Sequence, residues 1–240
     1  MISPRGRSAG SRISCVPDIE PTLNQLAALL QNCSQANADA SLTALLSKVG
    51  GNVDLTVAWH RDELLKWLNK WICRLRYRRP GEPDLFSNSV TQWWAVSGSA
   101  LPHCPVAELS DIEVGILADS YADLSARPGA LLTRNGIVTR SRSIAPTAAS
   151  KILFVVLSET VPPWDAAIAR TTTGGTSRDH FARHLTATRM WARAVQDEAA
   201  RRGITDIPTY VGRPSSSLAK LRDEWLYLTI TRGCPVPPTE

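Results

Sequence analysis

The stretch that most constrains the fold runs from Ser143 to Arg170, SIAPTAASKILFVVLSETVPPWDAAIAR. Its segment Thr147 to Ser158 consists almost entirely of apolar or small residues and is bounded by helix breakers. A run of this length predicts a helix that crosses the middle of a core. Two prolines then force a turn, and Asp165 stands where the next helix needs an N-cap. The segment therefore predicts a helical core built around it.

Composition narrows the class of protein. The 240 residues are 43% hydrophobic, which is enough for one large core or two modest ones. Since no run of about eighteen apolar residues occurs, we expect no membrane partner and a cytoplasmic protein. The five cysteines are widely spaced without a C-x-x-C pair, so the sequence predicts no disulfide framework, no metal site and no cofactor.

Apolar residues at three- and four-residue spacing recur along most of the chain, and no convincing run of alternating strands does. The pattern predicts an all-α, multi-helix domain. We expect a disordered basic tail over 1–20, a short helical addition over 21–52, a helical core domain over 53–233 and a disordered tail over 234–240. Near 131–140, the pair Asn135-Gly136 is compatible with a short two-stranded ribbon and equally with an irregular basic loop.

Helix boundaries follow from the same patterns and from capping residues. The predicted helices cover Thr22–Gln31, Ala38–Val49, Arg61–Tyr77, Ser87 to about Val96, a segment capped by Ser110 and reaching about Ala126, Arg178–Arg202, and a last helix capped by Ser217.

Positive charge is concentrated in arginine, with a net charge of +5 and a sequence pI near 9.1. The densest run, RLRYRRPG, contains Arg74, Arg76, Arg78, Arg79 and the aromatic Tyr77. Such a run could straddle a phosphate backbone and stack on a base, whereas a solvated helix end with cations suited to the helix dipole explains it equally. Arg140 and Arg142 add charge after the candidate ribbon.

Two histidine-containing pairs have the residue types of a chemical site. His103 and Cys104 are adjacent, so their reactive atoms cannot easily reach one another, and a loop pair is the simpler interpretation. His180 and His184 are four apart on a predicted helix, but the sequence lacks the Glu of H-E-x-x-H and an obvious third ligand. Neither pair predicts a catalytic or metal site.

The segment 143–170 resembles the motif of the helix-hairpin-helix DNA glycosylases. That motif is a hairpin Gly-Ile/Val-Gly-x-x-Thr-Ala, a buried helix, and a proline-containing turn ending in Asp-x-x-Ile/Val-x-Arg. Laid without gaps on this chain, six positions match in register: Ile144, Ala149, Pro162, Asp165, Ile168 and Arg170. Ser143 and Ala145 replace the two hairpin glycines, and the family's four-cysteine cluster is absent, so the chain resembles a divergent member outside the iron–sulfur branches.

The resemblance implies a DNA partner and a chemical role for one matched position. Asp165 would be the catalytic carboxylate that activates water or stabilises the cationic sugar. Thr147 occupies the position of the Schiff-base lysine, which implies a monofunctional hydrolase. Together with the basic run, the predicted nucleic-acid contacts are Arg74, Arg76, Arg78, Arg79, Arg140, Arg142, Thr147, Lys151 and Arg170, and the predicted base pocket contains Trp164 and Tyr77.

Two other classes remain open. One is a non-catalytic module that binds nucleic acid or protein on the same helical scaffold, which the replaced glycines favour. The other is an unrelated all-α protein in which Asp165 only caps a helix, an interaction worth about 1 kcal/mol. The position of Asp165 separates these classes, because an enzyme needs this carboxylate in a cleft.

Overall fold

The computed structural model describes residues 20–33, 36–134 and 137–238. Within them the chain forms ten α-helices and one antiparallel ribbon, which confirms the predicted all-α class. The helices are α1 (Leu23–Asn32), α2 (Ala36–Lys48), α3 (Ala58–Lys70), α4 (Leu85–Ser97), α5 (Asp111–Ala126), α6 (Pro146–Val156), α7 (Ala166–Thr172), α8 (Arg178–Arg201), α9 (Ile207–Tyr210) and α10 (Leu218–Leu226). The strands are β1 (Pro128–Arg134) and β2 (Ile137–Ser143).

Side-chain caps begin most of these helices where the sequence places them. Thr22 and Ser110 form capping boxes with Gln25 and Glu113 at the starts of α1 and α5. The side chain of Ser217 accepts the amide of Lys220 at the start of α10. These short-range signals explain why the predicted helix starts agree with the structure to within a few residues.

Helix α6 lies at the centre of the core, as the apolar run predicts. All its residues from Ala148 to Val155 are buried. After it, Trp164 is buried against Tyr121, Phe181 and His184, with ring centroids 5.8, 5.3 and 5.3 Å away. The Pro-Pro-Trp turn is therefore fixed by aromatic packing between α5 and α8, and this packing sets the position of Asp165.

The third helix ends earlier than the sequence predicts. It stops at Lys70 rather than Tyr77, and Ile72 and Arg74 adopt left-handed backbone conformations with φ of 60° and 53°. The side chain of Asn69 replaces the missing helical hydrogen bonds, because its Oδ1 accepts the amide of Leu75 and its Nδ2 donates to the Leu75 carbonyl. The apolar stripe continues beyond the helix because Leu75 is still buried.

The β1–β2 ribbon spans 128–143 and is longer than the predicted 131–140. Its register shifts between Pro128 and Ala130 and between Leu132 and Thr133. The turn signal Asn135-Gly136 lies outside the described residues. The ribbon leads directly into α6, whose N-cap Ala145 has a φ of 73° and a ψ of 157°.

The N-terminal helices pack on the same core as the rest of the chain. Leu23, Leu26, Leu29 and Leu30 are buried in one continuous hydrophobic cluster with residues of α5, α6, α8 and α10. The C-terminal segment also contacts α1, since Gln25 Nε2 donates to the Pro237 carbonyl at 2.9 Å. The predicted disorder of 1–20 falls almost wholly outside the described residues.

None of the helices in the described ranges combines the length and apolar character needed to cross a bilayer.

Candidate active site

Asp165 caps α7 with one carboxylate oxygen. Its Oδ1 accepts the amides of Ala167 and Ile168, both at 2.8 Å. These bonds fix the carboxylate while leaving Oδ2 without a hydrogen bond to any of the described residues. The cap predicted from the sequence is confirmed, and it leaves one oxygen of the group available for chemistry.

Asp165 is half-buried and lines a cavity of about 480 Å³, here called the Asp165 cavity. This volume falls in the range of roughly 300–1,000 Å³ that is typical of small-molecule sites. The walls are mostly apolar and come from α2, α3, α6 and α10, from the segments that follow α3 and α10, and from the Pro-Pro-Trp turn. They consist of Ser41, Lys70, Trp71, Ile72, Thr147, Lys151, Pro163, Trp164, Asp165, Lys220, Asp223, Glu224, Tyr227 and Thr231.

Unusual backbone geometry surrounds this cavity. Ile72 is β-branched yet has a φ of 60°, and its side chain is 70% exposed at the cavity wall. Ala145, two residues before Thr147, lies in a region that glycine normally occupies. Residues Tyr227–Thr231 form a π-helical turn whose first and last residues line the cavity. Strained residues and π-helical turns concentrate at functional sites, and Ile72 and the π-helical turn both lie in the wall of this cavity.

Two buried lysines reach the cavity with different partners. Lys220 Nζ forms an ion pair with Asp223 Oδ2 at 2.8 Å, and both side chains are 8% exposed. Lys151 Nζ donates to the Trp71 carbonyl at 3.1 Å and lies 4.7 Å from the centre of the Trp71 ring. Buried charges are rare unless paired or functional, so this cluster needs a reason beyond packing.

Burial shifts the ionisation of this cluster. It lowers the pKa of Lys151, while the charges of Cys73, Asp223 and Asp165 act in the opposite direction and that of Lys220 lowers it further. Burial also raises the pKa of Asp223, although the positive charge of Lys220 and its hydrogen bond lower it in part. The surroundings of Lys151 therefore stabilise its charged form less well than water does.

The predicted nucleic-acid contacts fall into three groups. Arg74, Arg78, Arg79, Arg140, Arg142 and Arg170 are exposed. Arg76 is half-buried and donates to both carboxylate oxygens of Glu82, at 2.7 and 2.6 Å. Its positive charge is therefore largely neutralised by this carboxylate. Thr147 and Lys151 line the Asp165 cavity, and Lys151 is only 5% exposed, so it does not present its amine to a phosphate at the surface.

The structure brings one of the two predicted base-pocket aromatics to Asp165. Trp164 lines the Asp165 cavity, whereas Tyr77 is exposed and lines a different, smaller cavity with Arg76, Arg78 and Glu82. The early end of α3 explains this difference, because the chain turns away at Ile72 before it reaches Tyr77.

Sequence reasoning missed Trp71, Lys220, Asp223 and Tyr227 as site residues. Lys220 and Asp223 are three residues apart on α10, a spacing that brings their side chains together. In the sequence, the same spacing is typical of an ordinary surface ion pair. Only the burial of α10 gives the pair its significance, and no local signal in the sequence predicts that burial.

His180 and His184 do not converge. The His180 ring bonds to Ser177 at the start of α8, where it completes a capping box. His184 is buried, its ring stacks on Trp164, and neither of its nitrogens has a hydrogen-bond partner in the part of the chain that the structure describes. Burial keeps the pKa of His184 well below its ordinary value, and the nearby charge of Arg222 adds to this effect. His184 is therefore a neutral core residue.

Comparison of the chain with protein-family models, with curated proteins and with solved structures finds no match.

Proposed function

We propose that this protein is a DNA-binding glycosylase in which a base turned out of the duplex enters the Asp165 cavity and loses its N-glycosidic bond to water. The observation that carries the proposal is the position of Asp165, held by two backbone amides in the wall of an apolar, aromatic cavity. A carboxylate in the core or facing open solvent could not act on a bound sugar.

Glycosidic bond cleavage needs negative charge close to the sugar. As the bond breaks, positive charge develops on the sugar ring, and a fixed carboxylate stabilises it or activates the attacking water. The amides of Ala167 and Ile168 orient Asp165 before the substrate arrives, so little reorganisation is needed. Trp71, Trp164 and Tyr227 provide apolar walls of the kind on which a base stacks.

The surface next to the cavity suits a phosphate backbone. Arg74 follows the cavity residues Trp71 and Ile72, and Arg142 Nη1 donates to the Arg74 carbonyl at 3.5 Å. Both arginines are exposed, and within the described residues neither forms an ion pair. Unpaired guanidinium groups beside a cavity favour contact with phosphates and predict binding that weakens steeply with salt.

The proposal is tested by incubating the protein with duplex DNA that carries a panel of damaged and modified bases, and detecting released bases by mass spectrometry. We expect release by the wild type and loss of release in Asp165→Asn, which keeps an oxygen for the helix cap. Asp206→Asn is the control, since Asp206 also caps a helix, accepting the amide of Thr209 at the start of α9, but does not line the cavity. Equal release by wild type and Asp165→Asn would remove the catalytic role.

A non-catalytic binding module predicts a different outcome. It predicts no release from any lesion, together with DNA binding that falls with salt and falls further in an Arg74→Ala, Arg142→Ala double variant. An unrelated helical protein predicts neither release nor salt-dependent binding.

A further inference from the structure

Two cysteines from opposite ends of the chain meet at the edge of the core. Cys33 follows α1, and Cys234 follows the π-helical turn that comes after α10. Both are free cysteines with half-buried side chains, and both pack against the hydrophobic cluster. Their thiols are hydrogen-bonded to each other, and this bond, together with burial, raises the pKa of Cys234. The fold therefore holds two thiol sulfurs in direct contact.

The course of the C-terminal segment along α1 accounts for this contact. Gln25, about two helical turns before Cys33, donates from Nε2 to the Pro237 carbonyl at 2.9 Å. The helix rises about 12 Å between Gln25 and Cys33, and the chain from Cys234 to Pro237 spans at most about 10 Å. The C-terminal segment thus runs antiparallel to α1 and contacts it at both ends.

The other cysteines of the described ranges have different surroundings. The Cys73 thiol donates to the Trp71 carbonyl at 3.9 Å, and burial raises its pKa against the charge of Lys151. Burial also raises the pKa of Cys104, and nearby carboxylates add to the effect. Neither of them interacts with another thiol within the part of the chain that the structure describes. The contact between two thiols is therefore specific to Cys33 and Cys234.

A disulfide between these residues requires a small shift of the C-terminal segment. An S–S bond is about 2.05 Å long, so oxidation brings the two sulfurs closer together than they are as hydrogen-bonded thiols. Residues 233–238 form no helix or strand, and Pro235 and Val236 are exposed, so this segment is able to move. Cys33 is held at the end of α1, where its amide donates to the Leu29 carbonyl at 2.8 Å.

We infer that Cys33 and Cys234 form a reversible disulfide when the protein meets a low-molecular-weight disulfide such as oxidised glutathione. The thiolate of one cysteine attacks a sulfur of the oxidant, which gives a mixed disulfide and releases one glutathione thiolate. The other cysteine loses its proton, attacks the protein sulfur of the mixed disulfide and releases the second glutathione. The two cysteines are oxidised, and the oxidant is reduced to two thiols. The inference is independent of the proposed function.

The disulfide joins the C-terminal segment covalently to α1 and connects both to the Asp165 cavity. The amide of Cys234 donates to the Leu228 carbonyl at 3.0 Å, and Leu228 belongs to the π-helical turn whose first and last residues line the cavity. A cross-link between residues near the two ends of a chain closes a long loop, which restricts the unfolded state strongly. We therefore expect the oxidised protein to be more stable to heat than the reduced protein.

The first arm of the test maps the disulfide in the wild type. The full-length protein is equilibrated with reduced and oxidised glutathione at several ratios, free thiols are blocked with N-ethylmaleimide, and the chain is cleaved before aspartate for mass spectrometry. Asp18 separates Cys15 from Cys33, so each of the five cysteines falls in its own peptide. We expect a linked Cys33–Cys234 peptide at a lower proportion of oxidised glutathione than any other protein disulfide. Separate mixed disulfides at the two cysteines without a linked peptide would overturn the inference.

The second arm compares two serine variants of half-buried cysteines. Cys234→Ser should accumulate a mixed disulfide at Cys33, whereas Cys104→Ser, the matched control, should form the linked peptide as the wild type does. Oxidation should raise the thermal midpoint of the wild type and of Cys104→Ser by several degrees and leave that of Cys234→Ser unchanged. A wild-type midpoint that stays constant or falls on oxidation would overturn the inference. Because the first arm uses the wild type, it holds even if Cys234→Ser does not fold.

Discussion

At the scale of single residues, the two carboxylate oxygens of Asp165 allow its structural and chemical roles to be separated. Oδ1 caps α7, and Oδ2 is unbonded among the described residues. Asn retains an acceptor for the cap, whereas Ala removes it. We expect Asp165→Ala to lower the free energy of unfolding by about 1 kcal/mol and Asp165→Asn to change it by a few tenths only.

Urea denaturation of both variants checks this prediction. Asp206→Ala, which removes the cap of α9, serves as a control with the same type of loss. If Asp165→Ala were as stable as the wild type, the cap would contribute nothing, and the position of Asp165 would need a reason other than folding.

His184 predicts a dependence of stability on pH. Its pKa is lowered in the folded protein because burial penalises the imidazolium ion. The contribution of His184 to the free energy of unfolding is therefore fully present above the unfolded pKa of about 6.5 and is lost as the pH falls. Below that pKa the unfolded chain binds a proton at His184, whereas the folded protein does not. We expect the wild type to lose about 1 kcal/mol more than His184→Leu between pH 7.5 and pH 5.5.

The measurement is the urea midpoint of each protein at the two pH values. Leu removes two buried nitrogens that have no partner in the described part of the chain, so it leaves no polar group unsatisfied. His103→Leu, at an exposed histidine, provides the control for the loss of a histidine elsewhere in the chain. A His184→Leu variant as sensitive to pH as the wild type would show that His184 titrates normally.

At the scale of secondary-structure elements, the junction of β2 and α6 stores backbone strain at Ala145. Its φ of 73° and ψ of 157° belong to a region that glycine occupies without cost. We expect Ala145→Gly to raise the free energy of unfolding by about 1 kcal/mol, since the strain relieved exceeds the entropy that glycine adds to the unfolded chain.

Ala148→Gly provides the opposite control within the same helix. Ala148 is buried at an ordinary helical position, so the same exchange should cost about 1 kcal/mol there. The two thermal midpoints should move in opposite directions. A loss of stability in Ala145→Gly would show that the local backbone is not strained.

The same junction shows what sequence can and cannot predict about an element. The starts of α1, α5, α7 and α10 follow from Thr22, Ser110, Asp165 and Ser217, because a cap acts on amides only two or three residues away. The predicted end of α3 was wrong by several residues. The apolar stripe continues to Leu75, but the side chain of Asn69 bonds to the backbone of Leu75 where the helix has ended. The positive φ of Ala145 was not predicted either, because no local signal in the sequence places a residue other than glycine in that region.

At the scale of the whole molecule, the cavity could be predicted only in part. Asp165 and Trp164 follow from the local pattern of 143–170. Trp71, Lys220 and Tyr227 come from segments far away in the chain, and what unites them is the packing of α3, α6 and α10. Tertiary proximity of this kind has no signature in one sequence, so Tyr77 was predicted as a pocket residue and Trp71 was not.

The relation of the N-terminal helices to the rest is also a property of the whole molecule. The sequence predicts a short helical addition over 21–52. In the structure Leu23 donates its amide to Glu198, and Trp191 Nε1 donates to the Pro21 carbonyl. Helix α1 thus covers α8 and completes its burial. We expect the chain to unfold as one cooperative unit, so that a destabilising substitution in α1 lowers the stability of the distant core as well.

Leu26→Ala tests this cooperativity. Leu26 is fully buried in α1, so its truncation should cost about 2–5 kcal/mol. Every tryptophan lies between Trp59 and Trp225, so tryptophan fluorescence reports on the core beyond the N-terminal helices. We expect the fluorescence-detected urea midpoint to fall in one transition, with a much smaller shift in Leu42→Ala, where the side chain is half-buried. An unchanged midpoint would mean that α1 unfolds independently, and the α1 contacts with α8 would then contribute nothing to the stability of the cavity walls.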